Sequence, residues 1–332
     1  MDIFFGPVAR PYYERTPLTL IDIGARGGLQ PNWKRARSRL KLVGFEPDPA
    51  EYARLAAGAD PQRAVYINAA VGRVAAELEL NVGREGGTSS LLEPNLDFLR
   101  RFPRPERYEV VRKVRVTTDR LDTLLPRHGI HRADFIKIDA QGGELAILQG
   151  APETLERSIF GVEVEVLFAP LYRAQPSFGD VDALLAGLGF QLFDLRHSYW
   201  KRATGVRYGG PKGQLIFGDA LYFRTEESVA RMLAQSPPEA ARPQLLRGLS
   251  VALLYGYADF AIELFESHRS LFDEPLAKEI AAALRSEVDI SSRFPHFRGR
   301  GLLSHFFYRL HRALFPTAGG WASGGRTIGN VD

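Results

Sequence analysis

The chain has 332 residues, 45% hydrophobic and 25% charged, the composition of a folded globular protein with room for one domain of about 200–250 residues and a smaller appendage. Its formal charge of +4 comes without a dense Lys/Arg stripe, so nucleic acid is not an expected partner, and the absence of cysteine excludes disulfides, thiolate metal ligands and Cys nucleophiles. There is no signal-like start and no run of about 20 apolar residues, so the expectation is a cytoplasmic chain with no transmembrane segment.

Residues 1–17 read as a lead-in, and from Leu18 short apolar runs alternate with helical patterns. A strand at 18–24 is followed by a glycine-rich turn and a helix to about Arg39. A strand at 41–46, a helix at 49–57 capped by Asp48 and a strand at 64–70 come next. Further strands fall at 134–139, 159–167, 190–195 and 220–224. Between the third and fourth lies an insertion, 83–118, with a Gly/Ser turn at 86–90 and an alternating strand at 110–116. This alternation predicts an α/β fold over 18–225, a Rossmann-like, mostly parallel sheet that binds its ligand at the carboxyl ends of the strands, beside strand one.

Beyond Arg224 the texture is helical and strand-free to Val288, with breaks expected at Pro237-Pro238, Pro243 and Pro275 and a helical hairpin over 245–266. Residues 226–316 are therefore a C-terminal all-helical extension. Within it Leu302, Leu303, Phe306, Phe307, Leu310, Leu314 and Phe315 recur at helical spacing, with Arg309, His311 and Arg312 between them. Such a helix either docks on the protein's own core or, through 300–315, meets a partner chain or an anionic membrane face. The Gly-rich residues 317–332 are expected to be disordered.

The strongest local signal is Asp22-Ile-Gly24-Ala25-Arg-Gly27-Gly28, since glycines directly after a strand let backbone approach a nucleotide. Glu46 ends strand two about twenty residues later, where a carboxylate can take both ribose hydroxyls, although closing the strand is a competing role. The turn lacks the second phosphate-binding glycine of dinucleotide sites. A phosphate-free donor such as S-adenosylmethionine suits it better, with Asp22 placed to orient the ammonium of the donor.

Three segments resemble the FkbM family of methyltransferases in order and spacing. They are Ile21-Asp-Ile-Gly-Ala-Arg-Gly-Gly28 with Phe45-Glu-Pro-Asp48; Asn68-Ala69-Ala-Val-Gly72; and Asp119-Arg-Leu-Asp122 followed by Ile136-Lys-Ile-Asp-Ala-Gln-Gly-Gly-Glu-Leu145 and Leu148-Gln-Gly150. Gly143 stands where alanine is usual in the longest motif. The resemblance covers about 18–224 and implies a class I methyltransferase fold, S-adenosylmethionine as methyl donor with S-adenosylhomocysteine as product, and transfer to a hydroxyl of a carbohydrate- or polyketide-like acceptor. It places Asp22, Gly24, Ala25, Gly27, Glu46, Asn68 and Ala69 around the donor. Nothing in it covers residues beyond about 225.

A hydroxyl is a poor nucleophile, so a base should stand beside the donor, and Asp139 at the end of strand four is the first candidate. Lys137 shares its face of the strand and needs a partner, with Glu163 or Asp139 expected. Glu163 and Glu165 share one face of the next strand, and Glu144 suits a helix first turn. These acids do not show metal-ligand spacing, and no metal is assigned. His197, in the aromatic and basic stretch 196–202, is a second base candidate, and this stretch and 86–95 are expected to wall the small-molecule or glycan acceptor. An NAD(P)-dependent oxidoreductase and a non-catalytic scaffold retaining the fold are the competing readings, and a homo-oligomer is compatible with each.

Overall fold

The computed structural model describes residues 3–4, 6–208, 212–286, 295, 297–314, 320–325 and 327–330. A short helix, α1 (Arg10–Arg15), leads into β1 (Leu18–Ile23), in which every residue is buried, as a strand covered on both faces requires. β2 (Leu40–Phe45) and β3 (Ala64–Ile67) follow, joined by α2 (Pro49–Ala57), whose N-cap Asp48 accepts the Ala50 N–H at 3.1 Å. The helix expected between β1 and β2 is absent; three 3-10 turns, Ala25–Gly27, Pro31–Lys34 and Arg37–Arg39, take its place. Gly24 and Gly28 adopt positive φ and Pro31 has no N–H to give, so an α-helical ladder does not start.

β4 (Ala70–Val71), β5 (Ala76–Gly83) and β6 (Val110–Asp119) form a separate small sheet in the order β4-β6-β5, with the one-turn α3 (Leu96–Leu99) between the last two. Only β6 was legible in sequence. The Ala-Glu-Leu-Glu-Leu run of β5 consists of good helix formers, and its antiparallel pairing with β6 overrides them.

The main fold resumes with α4 (Leu121–Arg127), β7 (Phe135–Ile138), α5 (Glu144–Gln149), α6 (Pro152–Arg157), β8 (Gly161–Leu167), α7 (Phe178–Gly187), β9 (Phe190–Trp200) and β10 (Gln214–Arg224). With β11 (Ala322–Gly324) the large sheet runs β11-β9-β10-β8-β7-β1-β2-β3. β3, β2, β1, β7 and β8 are parallel; β10 is antiparallel to both β8 and β9. This is the α/β class expected. β9 and β10 both outrun their expected lengths because they pair with each other, Trp200 opposite Gln214, so residues 196–200 are strand rather than loop.

The sheet's two faces follow from alternation along each strand. Ile21, Ile23, Ile136, Ile138, Val162 and Val164 pack beneath α4–α7. Leu18, Leu20, Phe135, Leu221 and Phe223 face the other way, into one core with α1 and four later helices, α8 (Glu226–Ala234), α9 (Pro238–Leu254), α10 (Ala258–Ser267) and α11 (Glu274–Ser286). α9 and α10 form the expected hairpin. Pro243 does not break α9; it lies in the second turn, where the ladder loses only one bond. A buried ion pair, Arg247 Nε to Asp134 Oδ1 at 2.8 Å, ties α9 to the sheet, and the other oxygen of Asp134 accepts the Thr19 N–H at 2.8 Å.

The expectation of a disordered tail fails for the described part of it. β11 pairs with β9, Trp321 stacks edge-on to Trp200 at 5.3 Å, and Ile328 is buried. Two apolar anchors in an otherwise Gly-rich segment are enough to dock it. The helix Arg300–Leu314 forms as its periodicity indicates, but its apolar side chains from Leu302 to Leu310 are exposed rather than packed on the core. Phe315 and residues 316–319, 326, 331 and 332 lie outside the described residues. Among the described residues, no helix is long and apolar enough to cross a membrane.

Candidate active site

A cavity of about 560 Å³ opens at the carboxyl ends of β1, β2 and β7, where the strand order reverses. Gly24, Gly27, Glu46 and Ala69 line it together with Lys137 and Asp139. Gly24 has φ +84, and a Cβ there would collide with the Asp139 carbonyl, so this glycine joins the ends of β1 and β7 as well as lining the cavity. Glu46 is buried at the end of β2, one carboxylate oxygen accepting the Asp48 N–H at 2.9 Å; burial raises its pKa. The small sheet covers this end of the cavity with Leu78 and Leu80 of β5, and Val71 and Ile147 extend the apolar wall.

Three of the residues expected around the donor, Asp22, Ala25 and Asn68, do not line this cavity. Asn68 braces the turn after β2, its Nδ2 donating to the carbonyls of Glu46 at 2.9 Å and Pro47 at 3.2 Å. Ala25 is buried without lining the cavity. Asp22 is buried against Lys137, Oδ1 to Nζ 3.4 Å.

Strand register explains that pair, because Asp22, Lys137 and Glu163 stand side by side across β1, β7 and β8. Of the two partners expected for Lys137, Asp139 is present at 3.7 Å, and Asp22 is the closer one. Burial disfavours the ammonium, but the carboxylates of Asp22, Asp139 and Glu163 outweigh it and hold the pKa of Lys137 above its ordinary value. Burial likewise raises Asp22, against the pull of Lys137. Glu163 is bonded elsewhere, to the Tyr255 hydroxyl at 2.8 Å and the Gln30 amide at 3.0 Å, and does not line this cavity.

Gln141 is the residue that sequence reasoning missed. Its amide nitrogen donates to Asp139 Oδ1 at 2.8 Å and to Glu165 at 2.7 Å, while its Oε1 accepts the Tyr172 hydroxyl at 2.8 Å. Burial, with Asp139 and Glu144 nearby, pushes Glu165 well above the usual carboxylate range. Gln141 holds φ +52, a conformation that a non-glycine residue adopts only when its surroundings impose it. The signal available was membership of the longest motif, but no spacing rule assigned it a task.

A second cavity, about 530 Å³, adjoins the first. The two share Gly87, Asp139 and Gln141. Thr88, Arg107, Tyr108, Glu165, Trp200 and the β11 backbone line the second. The guanidinium of Arg107 lies over two indoles, that of Trp200 at 4.4 Å and that of Trp321 at 4.6 Å. Each stretch expected to wall an acceptor contributes, 86–95 through Gly87 and Thr88 and 196–202 through Ser198 and Trp200. His197 does not. It alternates with Ser198 along β9, stacks on Tyr199 at 5.8 Å, and lines neither cavity.

Glu144 is used by its own turn. Its carboxylate accepts the N–H groups of Ala140 at 2.9 Å and Gly142 at 3.0 Å, and burial, opposed by those bonds, pushes its pKa up to about 7. Asp139 and Glu165 share Gln141, while Glu144 and Glu163 each have partners of their own. Among the described residues no cluster of three or more metal-type ligands forms.

A family model described as the methyltransferase FkbM domain matches residues 22–192. No curated protein matches the chain. Among solved structures it is similar to methyltransferase FkbM from Methylobacillus flagellatus, at 14% identity over 62% of this chain and 43% of that one, TM-score 0.34. It is also similar to precorrin-6y C5,15-methyltransferase from Geobacter metallireducens, at 8% identity over 67% and 90% of the two chains, TM-score 0.33. Human methyltransferase-like protein 13, in complex with SAH, matches at 14% identity over 90% and 91%, TM-score 0.30. The chain thus spans 43% of the length of the Methylobacillus protein.

Proposed function

The chain belongs to the FkbM methyltransferase family, and from that premise we propose that it moves the methyl group of S-adenosylmethionine to a hydroxyl oxygen of a small-molecule or glycan acceptor, carbohydrate- or polyketide-like. The observation that carries this reading is the junction of the two cavities at Asp139 and Gln141. The first cavity fits the donor: glycine backbone on one side, apolar walls, and a buried carboxylate at the end of β2 where ribose hydroxyls need an acceptor. The second, with aromatic faces beside a cation, suits a polar ring carrying hydroxyls.

When bound, the donor supplies an electrophilic methyl carbon on a sulfonium, and displacement at that carbon requires the acceptor oxygen in line. The chain's own task is then to hold the acceptor and take its proton. Asp139 faces both cavities, and its carboxylate is fixed from two sides by Gln141 and Lys137. As base it accepts the hydroxyl proton while the oxygen–carbon bond forms and the carbon–sulfur bond breaks. Lys137 positions this carboxylate and balances Asp22; it lines the donor cavity without needing to titrate. Glu163, joined to Tyr255 of the helical extension, acts behind Lys137 and is not a catalytic residue.

S-adenosylhomocysteine, and not NADH, is expected to raise the melting temperature. Glu46→Ala is expected to weaken S-adenosylhomocysteine binding by about 1–3 kcal/mol, the loss of a charge-assisted hydrogen bond. Stabilisation by NADH alone would return the site to the dinucleotide reading, and unchanged affinity in calorimetry would remove Glu46 from the ribose.

A further inference from the structure

From Ile290 to Val331 the sequence contains six arginines and no aspartate or glutamate, and the helix Arg300–Leu314 lies within that run. At about 100° per residue, Leu302, Phe306, Leu310, Leu303 and Phe307 occupy one arc of roughly 140°. Six of the protein's exposed large apolar side chains belong to this helix, among them Leu302 at 79%, Phe306 at 60% and Phe307 at 57% exposure. Arg309 falls beside the Leu302 edge of the arc and Arg300 beside the Phe307 edge, so a cation borders the apolar surface on each side.

We infer that the Arg300–Leu314 helix is an interfacial anchor that lies in the surface of an anionic lipid bilayer. A helix of 15 residues is about 22 Å long, short of the roughly 30 Å hydrocarbon core, so it lies in the plane and does not span. Its apolar arc enters the headgroup–acyl boundary, and arginines at both borders extend their stems along it to reach lipid phosphates. Charge decides between occupants. A second copy of the chain would bring another acid-free, arginine-bearing helix against this one, and the like charges would repel. A planar anionic surface neutralises both borders at once.

The anchor also fixes where the second cavity sits. Trp321, which stacks with Trp200 in the wall of that cavity, follows Leu314 by seven residues, so at most about 25 Å of chain separates them. A membrane-bound helix therefore holds the second cavity close to the lipid surface.

Co-sedimentation of the full chain with vesicles of phosphatidylcholine and phosphatidylglycerol in equal parts tests this. The chain is expected to pellet at low salt and about tenfold less with phosphatidylcholine alone. The double substitution Phe306→Glu with Leu310→Glu is expected to cut pelleting about tenfold or more while the melting temperature stays unchanged, because both side chains are exposed. The inference is overturned if the wild-type chain stays in the supernatant with the anionic vesicles, or if the double variant pellets equally. A dimer in sedimentation velocity that the same two substitutions dissolve, with no vesicle binding, would assign the arc to a second copy instead.

Discussion

Replacing Lys137 by methionine removes the cation between Asp22 and Asp139 while keeping an apolar stem of similar length. At 3.4 Å, and with an effective dielectric near 20, its attraction to Asp22 is about 5 kcal/mol. Asp139 is the more exposed partner and contributes less. Stranding a buried charge costs roughly 3–5 kcal/mol in measured cases. Protonation caps that cost: at pH 7, charging a proton onto a carboxylate of ordinary pKa, about 3.9, requires about 4 kcal/mol. Lys137→Met is therefore expected to lose about 3–4 kcal/mol at pH 7. In that variant Asp22 is protonated when folded and ionised when unfolded, so the folded state holds the extra proton and stability falls as pH rises. Acidifying from pH 7 to pH 5 should return about 2–3 kcal/mol relative to wild type. Urea unfolding followed by tryptophan fluorescence reads both quantities. A loss that stays constant between these two pH values, or an Asp22→Asn/Lys137→Met double variant no more stable than the single one, refutes the reasoning.

Asp139→Asn is expected to slow turnover by about a hundredfold to ten-thousandfold with any hydroxyl acceptor that the wild type methylates, while S-adenosylhomocysteine affinity in calorimetry changes only a few-fold. Normal turnover would make Asp139 a structural residue. Glu144, raised by burial from its ordinary value to about 7, stabilises the fold most below its unfolded pKa, and that contribution of about 3 kcal/mol is lost as pH rises through 7. Glu144→Gln should therefore flatten the dependence of urea midpoint on pH between 5 and 7, and parallel curves for the two proteins would show that burial does not hold the proton on this acid.

The parts of this protein legible in sequence are those written in local patterns. Buried parallel strands are short, mostly apolar runs with no more than two polar residues each, so β1, β2, β7 and β8 can be located from composition alone. Asp48 signals the start of α2 because a cap acts within three residues. Gly24, Glu46 and Asp139 follow from their places at strand ends, and all three line the cavity there. Other features depend on pairings that no local pattern encodes. β5 became a strand against its helix-forming letters, and β9 extended through His197 and Tyr199, because partner strands offered hydrogen bonds. Lys137 chose Asp22 because β1 lies beside β7 in that register, and Glu163 turned to Tyr255, 92 residues away, because the helical extension packs on that face. Side-chain chemistry along the chain fixes which groups must be paired or buried. Only the packing of distant segments fixes which partner each receives, because a hydrogen bond or ion pair operates over a few ångströms of space regardless of separation along the chain.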